Sequence, residues 1–257
     1  MRLRWLSVVT VLLLAACAPG GEERAAPSVR TQPQPVLEPV ETDAEDRSKR
    51  RARRFADGAH GITTKAPKLK VYNRPQHLSP WHKLDTTNPL DQRLVLLVTE
   101  ARATDEGLWL EVLLPERPNG STAWVEKNQV RVVKLRHRIE IDLARYTLEH
   151  FRAGKRVQRF KVGVGEDQYP TPKGTYYVWA KVPQPSPAGP YGNYALGISG
   201  FSPVLSDWPG GGRAAVHGTA NPGDRGRKVS HGCVRVFNDD MRKLTGVPMG
   251  TPVVIKS

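Results

Sequence analysis

The first apolar signal along the chain is one short run. Trp5 to Ala16 is hydrophobic apart from Ser7 and Thr10, and Arg2 and Arg4 stand before it. Such a run falls short of the roughly 20 residues that span a bilayer, and a basic start followed by a short apolar run predicts a secretory leader over 1–16. From Ala18 to about Gly61 the periodicity disappears. Pro19, Pro27, Pro33, Pro35 and Pro39 interrupt it and Arg47–Arg54 is strongly basic, so 17–61 is expected to be a disordered tether. Pattern returns with short apolar or alternating runs at Leu69–Tyr72, Leu94–Ala101, Leu108–Leu114, Ala123–Val125 and Val130–Val133, separated by turn signals at 73–75, 104–107 and 118–121. A second series follows at Arg138–Asp142, Thr147–Phe151, Arg156–Val164, Gly174–Val182, Ala195–Ser199, Ala214–His217 and Pro252–Lys256. One short helix is predicted after Phe237, with Asn238 as its cap, Asp239 and Asp240 in its first turn and Gly246 closing it.

These elements predict a mainly β chain with one or two short helices. Two globular regions are expected: a small barrel over 62–135 and a larger β domain over 136–257. The stretch Arg117–Val125 resembles the distal hairpin of bacterial SH3-like domains, which implies an SH3-like barrel. Such a barrel would be a wall-binding module or a spacer packed on the next domain.

Composition agrees and adds limits. With 23 Gly and 22 Pro in 257 residues, a helical bundle is excluded. A net charge of +14 favours polyanionic surroundings, but no recognition motif accompanies it, so nucleic acid is not an expected partner. Only two cysteines occur, which excludes a disulfide framework and a Cys-based zinc ribbon. Leu14-Ala15-Ala16-Cys17 resembles a bacterial lipobox. That resemblance implies lipidation of Cys17, a membrane-anchored lipoprotein and an extracytoplasmic location on the periplasmic or cell-wall side. Cys233 is then left as a lone thiol outside the cytoplasm, a candidate reactive group.

The surroundings of Cys233 carry the chemistry. Val216-His217-Gly218-Thr219 and Ser230-His231-Gly232-Cys233-Val234-Arg235 place two imidazoles near one thiol in sequence. Thiol attack on a carbonyl needs a base to make the thiolate and donors for the developing oxyanion. His217 and His231 are both candidate bases, and the amides of Gly232 and Cys233 are candidate donors. The Pro-rich stretch 183–191 is expected to be a lid, with Tyr191 and Tyr194 facing substrate, or else a rigid surface loop. Trp208–Gly212 is expected to allow close approach of substrate or backbone, or to be a turn. A zinc site from His217, His231 and Cys233 lacks the close ligand pairs typical of zinc motifs, so no metal and no cofactor is expected.

Together the two motifs, with Val162–Gly165, Pro170–Gly174 and Gly189–Gly192, resemble the YkuD-type L,D-transpeptidase family over about Arg138–Ser257. The resemblance implies a β-rich catalytic domain with Cys233 as nucleophile, His217 as general base and acid, and His231 as an aid in positioning the site. Arg235 would support the loop or a substrate carboxylate, and Gly218, Ser230 and Gly232 would line the substrate site. It further implies peptidoglycan stem peptides as partners, 3→3 cross-links formed through a thioester, and acylation by carbapenems. The same thiol would also serve an L,D-carboxypeptidase, an endopeptidase or the attachment of a wall protein. A non-enzymatic wall-binding lipoprotein is the remaining alternative.

Overall fold

The computed structural model describes residues 59–207 and 210–257. The leader, Cys17 and nearly all of the expected tether lie outside the described residues, as do Trp208 and Pro209. Among the described residues no helix is long and apolar enough to cross a membrane.

The upstream region is a five-stranded antiparallel sheet, with a two-stranded hairpin beside it. Its strands are β1 (His60–Thr63), β4 (Leu96–Thr104), β5 (Gly107–Leu113), β6 (Thr122–Glu126) and β7 (Arg131–Lys134). The order across the sheet is β6-β5-β4-β1-β7, and β2 (Lys68–Val71) with β3 (His82–Asp85) makes the hairpin. The β4–β5 turn falls on the predicted signal, and its Gly107 has φ 137°, a conformation that favours glycine. β1 begins inside the stretch read as tether. His60-Gly61-Ile62-Thr63 has one strongly apolar residue, and it becomes a strand because β4 and β7 flank it on both sides.

The second sheet runs β14-β10-β15-β13-β12-β11-β16-β8-β9, and β9 pairs again with β10, so the ladder closes. Its members are β8 (His137–Asp142), β9 (Thr147–Arg152), β10 (Lys155–Gly165), β11 (Gly174–Pro183), β12 (Tyr194–Phe201), β13 (Arg213–Thr219), β14 (Lys228–Ser230), β15 (Val234–Phe237) and β16 (Pro252–Lys256). Closure depends on two long strands that change partners. β10 pairs with β9 through Lys161 and with β15 from Val162, and β11 pairs with β16 through Tyr177 and with β12 from Val178. Register shifts lie in both strands, where an extra residue bends the chain. Ile139, Leu148, Val178, Leu196 and Val236 are fully buried inside this closed sheet.

Within this sheet β14 and β15 escape the sequence pattern, as β1 and β3 do in the upstream region. β14 and β15 flank the Cys233 motif, where Gly, Ser and charged residues break the alternation. The short helix α1 (Asn238–Arg242) does follow β15, but Phe237 is its N-cap residue and no side chain caps it. Asn238 is bonded elsewhere, as described below.

β11 connects the two regions. Tyr176 and Val178 belong to the core of the closed sheet, while Tyr177 and Trp179 point the other way and pack into the upstream core. A strand buried on both faces reads as a continuous apolar run, as Tyr176-Tyr177-Val178-Trp179 does.

Candidate functional site

β13 and β15 are parallel neighbours, with Val216 opposite Val234 and His217 opposite Arg235. Parallel strands cannot be joined by a tight turn and need a crossover of a dozen or more residues. The stretch between the two motifs is that crossover, passing through a 3-10 turn at Pro222–Asp224 and then β14. The spacing of the motifs therefore has a structural cause. Carrying the register back one step sets Cys233 opposite Ala215, and the thiol hydrogen-bonds to the Ala215 backbone. Side chains alternate between faces along a strand, so His217, Cys233 and Arg235 project to one side. All three line a cleft of about 100 Å³, which His231 and Tyr191 also border.

His217 is 3 % exposed. Its Nδ1 lies 2.8 Å from the Gly218 carbonyl oxygen, which can only accept, so Nδ1 carries the proton and Nε2 keeps the lone pair. Burial lowers its pKa to about 4; the bond to Gly218 opposes this, Arg235 adds to it, and Asp224 opposes it. Burial also pushes the Cys233 thiol up, against smaller lowering effects from the Ala215 bond and Arg235. Both shifts favour the uncharged forms, a neutral imidazole and a neutral thiol.

The turn before Cys233 is built from its own side chains. The buried Ser230 hydroxyl donates to the Cys233 carbonyl and accepts from the Gly232 amide at 3.2 Å. The Gly232 N–H is thus engaged within the turn and does not point free into the cleft. Gly232 has φ 110°, which a side chain would strain. His231 is exposed, and its ring tilts onto Tyr169 at 4.7 Å.

Gly218 and Tyr194 are not among the residues that line the cleft. A Cβ on Gly218 would lie 2.4 Å from Asn238 Oδ1 and 2.9 Å from the Asn193 nitrogen, so this glycine makes room for a neighbouring loop. Tyr194 is half-buried against the core of the closed sheet. Tyr191 is well placed, with its ring edge-on to His217 at 5.1 Å. The Pro-rich stretch that carries it is tied down by Asn238. The Asn238 amide donates to Pro187 O, its Oδ1 accepts from the Asn193 amide, and its carbonyl accepts from Asn193 Nδ2.

Asp224 was missed in the sequence. It is buried and accepts from Thr219 Oγ1, Asn221 Nδ2 and Arg235 Nη1, at 2.8, 3.0 and 3.3 Å. Its pairing anchors Arg235 beside the cleft. The available signal was one acidic residue in a stretch otherwise carrying Arg225, Arg227 and Lys228. Among the described residues no cluster suited to a metal ion occurs.

Residues 136–255 match the family described as the L,D-transpeptidase catalytic domain, YkuD. The chain is 33 % identical to the YkuD protein of Bacillus licheniformis over 120 residues, covering 46 % of this chain and 65 % of that protein. It is 31 % identical to the Bacillus subtilis YkuD protein, with the same two coverages. The chain thus spans just under two thirds of the length of these curated relatives. The catalytic domain of an Enterococcus faecium L,D-transpeptidase aligns with TM-score 0.36 and 27 % identity, over 47 % of this chain and 96 % of that one.

Proposed function

We propose, from the match of residues 136–255 to the YkuD family of L,D-transpeptidase catalytic domains, that this chain is a peptidoglycan L,D-transpeptidase working through a cysteine thioester. The observation that carries the reading is the placement of Cys233 and His217 on one face of adjacent parallel strands, lining one cleft. His217 Nε2 takes the thiol proton as Cys233 Sγ attacks the carbonyl of the third residue of a tetrapeptide stem. The C–N bond to the terminal D-Ala breaks, and His217 returns the proton to the leaving amine. The side-chain amine of a second stem then attacks the thioester carbonyl, His217 takes its proton, and the C–S bond breaks as that proton returns to Cys233 Sγ, leaving a 3→3 cross-link. Arg235, fixed by Asp224, offers its positive charge to a substrate carboxylate. Tyr191 and the loop tied down by Asn238 cover the thioester from water.

By the same reading Cys17 carries a lipid anchor, the tether ends before β1 at His60, and the SH3-like module runs from there to 135. The protein then acts outside the cytoplasm, with stem peptides as partners. Incubation of the full chain with a disaccharide-tetrapeptide should release D-Ala, leave an acyl adduct on Cys233 and yield a cross-linked dimer, all read by mass spectrometry. Free tripeptide without dimer would make the protein an L,D-carboxypeptidase. No adduct on Cys233 would overturn the reading. A carbapenem should add its mass at Cys233.

A further inference from the structure

We infer that Arg117, on the arm joining β5 to β6 of the upstream sheet, is a positioning residue for the candidate active site; the kinetic part of its test rests on the function proposed above. Ser202, Leu205 and Gly212 form one wall of the cleft that holds Cys233 and His217. These residues lie on the connection from β12 to β13, which offers the backbone carbonyls of Ser202, Leu205 and Gly211 to the upstream region. Arg117 gathers them. Its Nη1 donates to Ser202 O at 3.0 Å, and its Nη2 donates to Leu205 O at 2.9 Å and to Gly211 O at 3.1 Å. A planar guanidinium presents several donors in a fixed fork, so one side chain fixes three points along a loop. The fork is itself oriented by the Phe201 ring, 4.7 Å from its centre.

The arm holds the wall at further points. Asn119 exchanges two bonds with the Phe201 backbone, donating to its carbonyl at 2.8 Å and accepting from its amide at 2.9 Å. Gly212 has no space for a side chain, because a Cβ there would meet Leu205 O at 1.9 Å and the Arg117 guanidinium at 3.0 Å. In return Arg213, the first residue of the strand that carries His217, lies 3.7 Å over the Trp179 ring and donates to Pro115 O on the arm at 3.2 Å. The clasp therefore runs both ways, and the upstream sheet supplies part of the frame of the cleft.

Arg117→Ala and Arg117→Lys, made in the full chain, test this. In the free protein the amides of Ser202, Val204 and Leu205 are bonded within the wall. The Ala variant should exchange these hydrogens about tenfold faster or more, with β13 and β15 amides unchanged. With tetrapeptide substrate, kcat/KM should fall about tenfold, mainly through KM, while alkylation of Cys233 by iodoacetamide stays within about twofold. The Lys variant, charged but without the fork, should match the Ala variant, and added methylguanidinium should restore part of the Ala variant's activity. Unchanged exchange in the wall overturns the inference, and so does exchange that rises equally through β13 and β15, which would report general loosening. Full recovery with Lys overturns the role of the fork. Absence of turnover by the unaltered chain overturns the proposed function instead, and the exchange measurement still decides the role of Arg117.

Discussion

At the scale of single residues, the proposed function turns on the protonation states of Cys233 and His217. The His217 pKa near 4 keeps the imidazole a free base down to acid pH. The acid limb of kcat/KM should therefore fall near pH 4 rather than near the ordinary 6.5. Alkylation of Cys233 should rise with a single midpoint above the usual thiol value of about 8.5, without the low-pH plateau that a preformed ion pair would give. His217→Ala should slow acylation by roughly 10²–10⁴-fold, the usual contribution of a positioned general base. Stability follows the same shift. Between pH 6.5 and 4 the unfolded chain binds a proton at this position and the folded chain does not, so stability falls as pH falls through that window. The loss is roughly 3 kcal/mol for His217. His150, also lowered to about 4 by burial and then by His137 and Arg152, acts in the same direction. Urea midpoints measured across this range should drop toward pH 4, and His217→Gln should flatten that slope.

At the scale of elements, the loop over the cleft depends on one asparagine. The sequence pattern suggested Asn238 as a helix cap, because Asn before two acidic residues satisfies local rules. In the fold its side chain instead bonds Pro187 and Asn193, which lie far away along the chain. Asn238→Ala should free the 183–193 loop, seen as faster cleavage there in limited proteolysis and faster hydrolysis of an acyl adduct. Gly218→Ala should produce the same cleavage by overpacking, with a stability loss of about 1–3 kcal/mol in denaturant titration, since its Cβ would meet Asn238 Oδ1 at 2.4 Å.

For the molecule as a whole, the two sheets share β11, with Tyr177 and Trp179 in one core and Tyr176 and Val178 in the other. Asn88 and Gln92 of the upstream region bond the backbone at Trp179 and Lys181 at 2.9 and 2.7 Å. Calorimetry should therefore show one cooperative transition for both regions. A chain begun at residue 136 should expose Tyr177 and Trp179, bind an apolar dye and melt at lower temperature than the full chain.

Local sequence determined most of the strands, because alternating apolar positions and turn residues such as Gly107 act over a few residues. It also named Cys233 and His217 as candidate reactive groups, because the two motifs carry them, and both line the cleft. Only the tertiary structure decided which residues meet at the cleft. β14 and β15 have weak patterns and form through pairing with distant strands, and Asp224 reaches Arg235 only when the crossover folds back. Gly218 beside a motif and Tyr194 next to the Pro-rich loop were expected to meet substrate; neither lines the cleft, and they pack against Asn193, Asn238 and the sheet core. The hold of Arg117 on the cleft wall joins positions some ninety residues apart, and sequence periodicity carries no information over that distance.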